Sequence, residues 1–119
     1  QEAFASTINP ACPISSSTIK RRNIYGQTLL HRAVALQDID LVRKIINAHG
    51  NVNVRDYAGW TALHIASMEG YYGIVNELLK AGARVNSRGS EKITPLQHAV
   101  KEGHYEVYSK LNRNYGVGI

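Results

Sequence analysis

The chain has 119 residues, with 14 Lys+Arg against 9 Asp+Glu for a net charge of +5, and a single cysteine, Cys12. That length suits one domain, the lone cysteine excludes an internal disulfide and favours a reducing compartment, and no apolar run is long enough to span a membrane. The positive charge favours acidic partners, but without interleaved aromatic and basic residues it argues against direct nucleic-acid binding.

The first 19 residues begin with neither Met nor a signal-peptide pattern, so we expect a fragment of a longer protein. This segment, QEAFASTINPACPISSSTI, shows no period and holds several turn formers, which predicts a flexible N-terminal segment or linker over 1–19. Its apolar residues Phe4, Ile8 and Ile14 leave a second interpretation open, in which the segment covers the flank of the next structural unit.

A motif recurs three times after this segment, at a constant spacing of 33 residues. It stands as TLLHRA from Thr28, as TALHIA from Thr61 and as TPLQHA from Thr94. The recurrence predicts a repeat domain over 20–115, with repeats at about 22–54, 55–87 and 88–115, and a short tail over 116–119.

Each repeat predicts a pair of helices followed by a finger. The threonine caps the first helix through its side-chain oxygen, and Pro95 suits the first helical position. Gly70 and Gly103 end this helix in repeats two and three, whereas repeat one has Gln37 there and NAHGN in place of KAGAR, which predicts less regular turns. The second helix of repeat two carries apolar residues at helical spacing, namely Ile74, Val75, Leu78 and Leu79. Such a pair needs stacked neighbours to bury its apolar face, so the predicted fold class is all-α, a solenoid of three helix-turn-helix repeats with hairpin-like fingers.

The motifs TALHIA and LLKAGARVN resemble the signatures of the ankyrin-repeat family, and the resemblance covers nearly the whole chain. It implies antiparallel helix pairs and a non-enzymatic module that binds protein partners. The stretch RDYAGWTALH is similar to nuclear ankyrin proteins of the ankyrin-repeat cofactor, Tonsoku-like and BCOR type. That similarity implies a nuclear scaffold or regulatory protein in transcription or chromatin, with the cytoplasm as the alternative location.

The Tonsoku-like type holds a lysine of the histone H4 tail with acidic and amide side chains that follow this motif. The chain retains Asp56 and Trp60 but has Ile65, Met68 and His98 at the lysine-binding positions. A lysine ammonium placed there would lack its carboxylates. A histone tail is therefore a possible but disfavoured partner.

No residues form a recognisable catalytic or metal-binding constellation. His31 and His64 share a repeat position with Gln97, and a position that accepts glutamine fits a hydrogen-bonding group between turns better than a metal ligand or an acid–base group. Nucleophile elbows, phosphate-binding glycine loops and paired carboxylates are also missing. We therefore predict no enzymatic activity, no metal and no cofactor.

The resemblance places the partner-binding surface on the fingers and on the exposed side of the first helices. The predicted contact residues are Arg32, Arg55, Asp56, Tyr57, Trp60, Ile65, Met68, Arg88, His98 and Lys101. Trp60 either anchors a partner or packs on the next finger, and we favour a shared role. The row Arg22, Arg55 and Arg88 either meets spaced carboxylates or forms hydrogen bonds within each finger.

The predicted function follows from these residues and from the resemblance. The chain is expected to act as a monomer that binds a protein segment with an apolar anchor and acidic residues. A histone-tail reader and an architectural spacer between domains remain the alternatives.

Overall fold

The computed structural model describes residues 15–117, which form seven α-helices in that range. The helices are α1 (Ser16–Lys20), α2 (Leu29–Ala35), α3 (Ile39–Asn47), α4 (Ala62–Glu69), α5 (Tyr72–Lys80), α6 (Pro95–Glu102) and α7 (Tyr105–Val117). A single 3-10 turn, Ser90–Lys92, lies between α5 and α6, and the described residues contain no β-strand.

The first helix of each repeat begins with a reciprocal cap. In repeat two the side-chain oxygen of Thr61 accepts from the backbone N–H of His64 at 3.3 Å, and Nδ1 of His64 accepts from the backbone N–H of Thr61 at 3.2 Å. Repeat three has the same arrangement between Thr94 and Gln97, with Pro95 in the first turn. These bonds satisfy N–H groups that a helix start leaves without a partner, so the predicted caps are confirmed.

The turns of repeat one keep the backbone conformation of the other repeats, which corrects the expectation of less regular turns. Gly70 and Gly82 have left-handed φ angles of 80° and 93° in repeat two. Gln37 and His49 occupy the same positions in repeat one, with φ angles of 57° and 63°. The stacked helices therefore impose a left-handed turn even where the residue carries a β-carbon that disfavours it.

Two layers of helices enclose one apolar core. Helices α2, α4 and α6 pack side by side as the inner layer, and α3, α5 and α7 pack against them as the outer layer. The large core side chains, each at most 2% exposed, are Leu29, Leu30, Val34, Val42, Ile45, Leu63, Ile74, Val75, Leu78, Val107 and Leu111. The prediction of an all-α repeat solenoid is confirmed.

A ladder of arginines joins the three fingers. Nη1 of Arg22 donates to the carbonyl oxygens of Gly26 and Arg55, at 2.6 and 2.8 Å. Arg55 repeats the pattern one finger later, donating to Gly59 at 2.9 Å and to Arg88 at 2.6 Å. Hydrogen bonding within each finger is therefore the observed role of the first two arginines, and it extends to the adjacent finger.

The ends of the domain differ from the predicted boundaries. Helix α1 falls inside the predicted linker, and Ile19 packs against the core. The three residues predicted to cover this flank, Phe4, Ile8 and Ile14, lie outside the described residues. At the opposite end, α7 continues to Val117, past the predicted end at 115. No helix within 15–117 combines the length and the apolar character needed to cross a membrane.

Candidate functional site

The inner helices present one outward-facing position per repeat directly after the cap. Arg32, Ile65 and His98 occupy it in successive repeats, and all three side chains are half-buried. One turn later the exposed residues Met68 and Lys101 follow on α4 and α6. Because the inner helices stack side by side, these positions form a continuous face whose chemistry changes from one repeat to the next.

An apolar cavity of about 110 Å³ opens on this face between repeats two and three. We call it the anchor cavity, and its walls are Trp60, His64, Ile65, Met68 and His98. The Trp60 ring meets the rings of His64 and His98 edge-on, with centroid distances of 5.1 and 5.0 Å. Edge-to-face contacts of this kind hold aromatic rings in place, so the cavity has a rigid wall.

Trp60 is held by both its own finger and the next one. Oδ1 of Asp56 accepts from the backbone N–H groups of Trp60 at 2.8 Å and Ala58 at 3.0 Å, which closes the finger turn. The indole lies so close to Gly89 that a β-carbon there would stand 2.6 Å from Cε3. The framework half of the role predicted for Trp60 is confirmed, while its contact with a partner stays a prediction.

His98 departs from the hydrogen-bonding pattern of the other cap-adjacent histidines. Its Nδ1 atom is buried and has no hydrogen-bond partner among the residues that the structure describes. Burial lowers the pKa of His98 below the ordinary value, Lys101 lowers it further, and Glu102 opposes the change. A neutral ring with an unsatisfied nitrogen is unusual at a buried position, since most buried polar atoms have a partner.

His31 and His64 act as framework residues. Nε2 of His31 bonds to the carbonyl oxygen of Trp60 at 2.8 Å, and Nε2 of His64 bonds to that of Ile93 at 2.9 Å. Burial lowers the pKa of both imidazoles, and the backbone hydrogen bond partly opposes that effect. The predicted function of tying turns together is confirmed. Within the described residues no group of His, Cys, Asp or Glu side chains is arranged to hold a metal ion.

A second cavity, of about 190 Å³, lies at the base of the first finger. We call it the basic cavity, and it is lined by Arg21, Arg22, Asn23, Gln27, Thr28, Leu29 and Arg32. None of its three arginines has a carboxylate within 4.0 Å in the described part of the chain. In the sequence, Arg21 stands out only as part of the basic triplet KRR, residues 20–22. Whether Arg21 and Arg32 line the same cavity depends on how the finger folds onto α2.

A third cavity, of about 730 Å³, lies where α1 meets repeat one. Its apolar walls include Ile19, Leu30 and Ile45. Ser16, at the edge of the described range, also lines it, so the described residues do not show what covers this flank.

Comparison with known proteins agrees with this architecture. The profile of the family "Ankyrin repeats (3 copies)" matches residues 8–89 and 30–117. The chain belongs to the ankyrin-repeat family. Ankyrin repeats are generally protein–protein interaction modules and are typically non-catalytic. The human protein named ankyrin repeat domain-containing protein 31 is 52% identical to this chain over 45 residues, which is 38% of the chain and 2% of that protein's length.

In this ankyrin-repeat domain, the remaining predicted contact residues occupy three kinds of position. Tyr57 is exposed at the tip of the second finger, where the Cζ atom of Arg22 lies 5.8 Å from its ring centroid. Arg55 and Asp56 use side-chain atoms to bond the finger backbone. Arg88 supplies a carbonyl oxygen to Arg55, and its own side chain is exposed. By contrast, the Arg21 and Arg32 side chains of the basic cavity form no hydrogen bond or ion pair among the described residues, and Ile65 and Met68 of the anchor cavity are apolar.

Proposed function

We propose that this ankyrin-repeat domain binds a protein partner along the face of its inner helices, with an apolar side chain of the partner in the anchor cavity. The observation that supports this most directly is the cavity itself. Ile65 and Met68 are apolar, they line an open cavity, and Met68 is 37% exposed. Apolar side chains grouped at the surface of a domain are typical of a contact region.

The size of the cavity limits the side chain it accepts. An engineered protein cavity of about 150 Å³ holds a benzene molecule. At about 110 Å³, the anchor cavity suits an aliphatic side chain such as leucine, isoleucine or methionine better than an aromatic ring. Burying such a side chain contributes about 1.5–3 kcal/mol, which is enough to anchor a segment but not to bind it tightly alone.

The same residues argue against a histone-lysine reader. A lysine ammonium in the anchor cavity would face Ile65, Met68 and a His98 ring whose pKa is lowered by burial. None of these side chains supplies a negative charge, so the ammonium would lose its hydration without compensation. An aliphatic side chain does not carry that penalty.

We further propose that the domain belongs to a nuclear scaffold or regulatory protein. This proposal rests on the similarity of RDYAGWTALH to nuclear ankyrin proteins. It is tested together with binding when matched nuclear and cytoplasmic extracts are compared.

The test is a pull-down with the whole chain, its Ile65→Glu/Met68→Asn variant and a Tyr105→Glu control. Tyr105 is 75% exposed at the start of α7, on the outer layer, so the control introduces a charge away from the inner face. We expect a non-histone protein that binds the wild type and the control but not the double variant, with all three folded by circular dichroism.

Three results would contradict the proposal. Retention of every captured protein by the double variant indicates an architectural spacer. Titration of an H4-tail peptide that shows wild-type binding at micromolar affinity or better indicates a histone reader. A partner found only in the cytoplasmic extract would overturn the nuclear assignment alone.

A further inference from the structure

The inner face changes from basic to apolar between adjacent repeats. Arg32 on α2 and Ile65 on α4 occupy equivalent positions, and each lines one of the two cavities. Packed helices stand about 8–10 Å apart, so Arg32 and Ile65 are about one such step apart along the stack. A partner seated in the anchor cavity therefore extends over the basic cavity if it runs toward repeat one.

The positive charge of the basic cavity is not neutralised within the described residues. Arg22 directs Nη1 to two carbonyl oxygens, which are uncharged acceptors. Arg21 and Arg32 form no ion pair in the described part of the chain, and Arg32 is half-buried. Arginines without a carboxylate partner favour an anionic ligand, and a carboxylate matches the planar geometry of a guanidinium group.

The separation of Arg32 and Ile65 sets the spacing of the two groups in the partner. In a polyproline II segment, residues about three positions apart lie on one side and about 9 Å from each other. In an α-helix, residues about seven positions apart lie on one face at a similar distance of roughly 10 Å. Either backbone places one side chain over Ile65 and the other over Arg32 at once.

We propose that the partner presents an aliphatic residue to the anchor cavity beside Ile65 and an aspartate or glutamate to Arg32, about three positions apart in an extended segment or about seven in a helix. The inference rests on the proposed function and specifies its partner. It names Arg32 and Arg21 as the residues that select for the acidic position, with Arg22 already engaged in the finger ladder.

A nucleic-acid strand fits this face less well than an acidic peptide. Single strands bind through positive grooves combined with aromatic rings on which bases stack. The aromatic ring of the anchor cavity, Trp60, is packed against Gly89 and is met by the rings of His64 and His98. The cavity next to the arginines is apolar, which suits a side chain and not a second phosphate.

The experiment selects a phage-displayed random peptide library against the whole chain. We expect selected peptides to share an aliphatic and an acidic residue at one of the two spacings. A synthetic selected peptide should bind the Arg32→Glu variant about tenfold more weakly, as expected for the loss of a charge-assisted contact. Reselection against Arg32→Glu should weaken the preference for the acidic residue and keep the aliphatic one.

The outcomes separate this inference from the proposed function. Peptides with an aliphatic residue but no acidic preference, or an unchanged preference with a folded Arg32→Glu variant, overturn the acidic specificity and leave the binding face in place. Failure of any peptide to bind the face, combined with an unaffected pull-down by Ile65→Glu/Met68→Asn, overturns both. The acidic-peptide inference is also overturned if a single-stranded DNA oligonucleotide binds more tightly than the best peptide and its binding is lost in Arg32→Glu.

Discussion

Nη1 of Arg55 donates a 2.6 Å hydrogen bond to the carbonyl oxygen of Arg88, the residue at its own position in the next repeat. The same guanidinium nitrogen bonds the carbonyl oxygen of Gly59 at 2.9 Å, so one side chain closes its own finger and attaches it to the neighbouring finger. Arg88 has no hydrogen-bond or ion-pair partner for its side chain among the described residues. Arg55 and Arg88 are the same residue type at the same repeat position, but only the Arg55 side chain forms the ladder bonds. Replacing each arginine in turn therefore tests what those bonds contribute to stability.

Replacement of Arg55 by glutamine should lower the free energy of unfolding by about 1 kcal/mol, the usual net contribution of such hydrogen bonds. Arg88→Gln should change it by no more than about 0.5 kcal/mol, because an exposed side chain without partners contributes little. Urea denaturation followed by circular dichroism measures both values. Equal losses in the two variants would show that the ladder does not join the fingers.

Gly89 is required because the Trp60 indole occupies the space of a β-carbon. In Gly89→Ala the new methyl group would stand 2.6 Å from Cε3 of Trp60 and 3.0 Å from the carbonyl oxygen of Gly59. We expect a loss of about 1–3 kcal/mol of stability, as for other overpacked sites, and a changed tryptophan fluorescence spectrum. Thermal unfolding and the emission spectrum test this directly.

Gly73→Ala is the matched control for this prediction. Gly73 lies within α5, and a β-carbon there would meet its nearest neighbour, Cδ1 of Ile39, at an ordinary 3.4 Å. Alanine stabilises a helix relative to glycine, so this variant should gain about 0.5–1 kcal/mol. If Gly89→Ala and Gly73→Ala lose similar amounts of stability, the contact with Trp60 is not the cause of the loss in Gly89→Ala.

The architecture is largely predictable because the sequence repeats. Thr28, Thr61 and Thr94 fall in register, and each begins an inner helix in the structure. The left-handed turns at Gln37 and His49 are not predictable from those residues, because their own preference opposes the conformation. The packing of the surrounding helices outweighs that local preference. A single sequence does not show which of the two effects is larger.

Glycine at the left-handed turns of repeat one should stabilise the domain. The left-handed conformation costs a residue with a β-carbon roughly 1–2 kcal/mol, while glycine offsets part of that gain by a larger unfolded-state entropy. Gln37→Gly and His49→Gly should therefore each raise the free energy of unfolding by about 0.5–1 kcal/mol. Both side chains are exposed, so few contacts are lost, and urea denaturation gives the result.

The converse substitution in repeat two provides the control. Gly82 has a φ of 93°, and a β-carbon there would meet nothing within 4 Å, so Gly82→Ala isolates the backbone strain. It should lose about 1 kcal/mol. Destabilisation of all three variants would mean that Gln37 and His49 make stabilising contacts that outweigh their strain.

The candidate site was less predictable than the fold. Ile65 and Met68 could be assigned to the inner face from the repeat register alone. The basic cavity depends on a loop conformation that brings Arg21 near Arg32, and no spacing rule expresses that relation. Likewise, the edge-on contact between the His98 and Trp60 rings joins two repeats, which is a tertiary effect.

Stability should fall as the pH decreases below about 6.5, because His31 and His64 are buried as neutral rings. Burial holds the pKa of each below its ordinary value, so the folded chain binds fewer protons than the unfolded chain in this range. Their contribution is therefore complete above the unfolded pKa and is lost as the pH falls toward the folded pKa. The melting temperature measured between about pH 7.5 and 5.5 should decrease accordingly.

Replacing both histidines by glutamine distinguishes this cause from a general effect of acid. Gln97 shows that glutamine fits the position, because its Oε1 accepts from the backbone N–H of Thr94 at 2.8 Å. The His31→Gln/His64→Gln variant should fold and should show a shallower decrease of melting temperature with pH, since two titrating groups are removed. A residual slope is expected from His98, whose pKa is also lowered by burial. If the double variant and the wild type lose melting temperature at the same rate, the two buried histidines do not control the acid response.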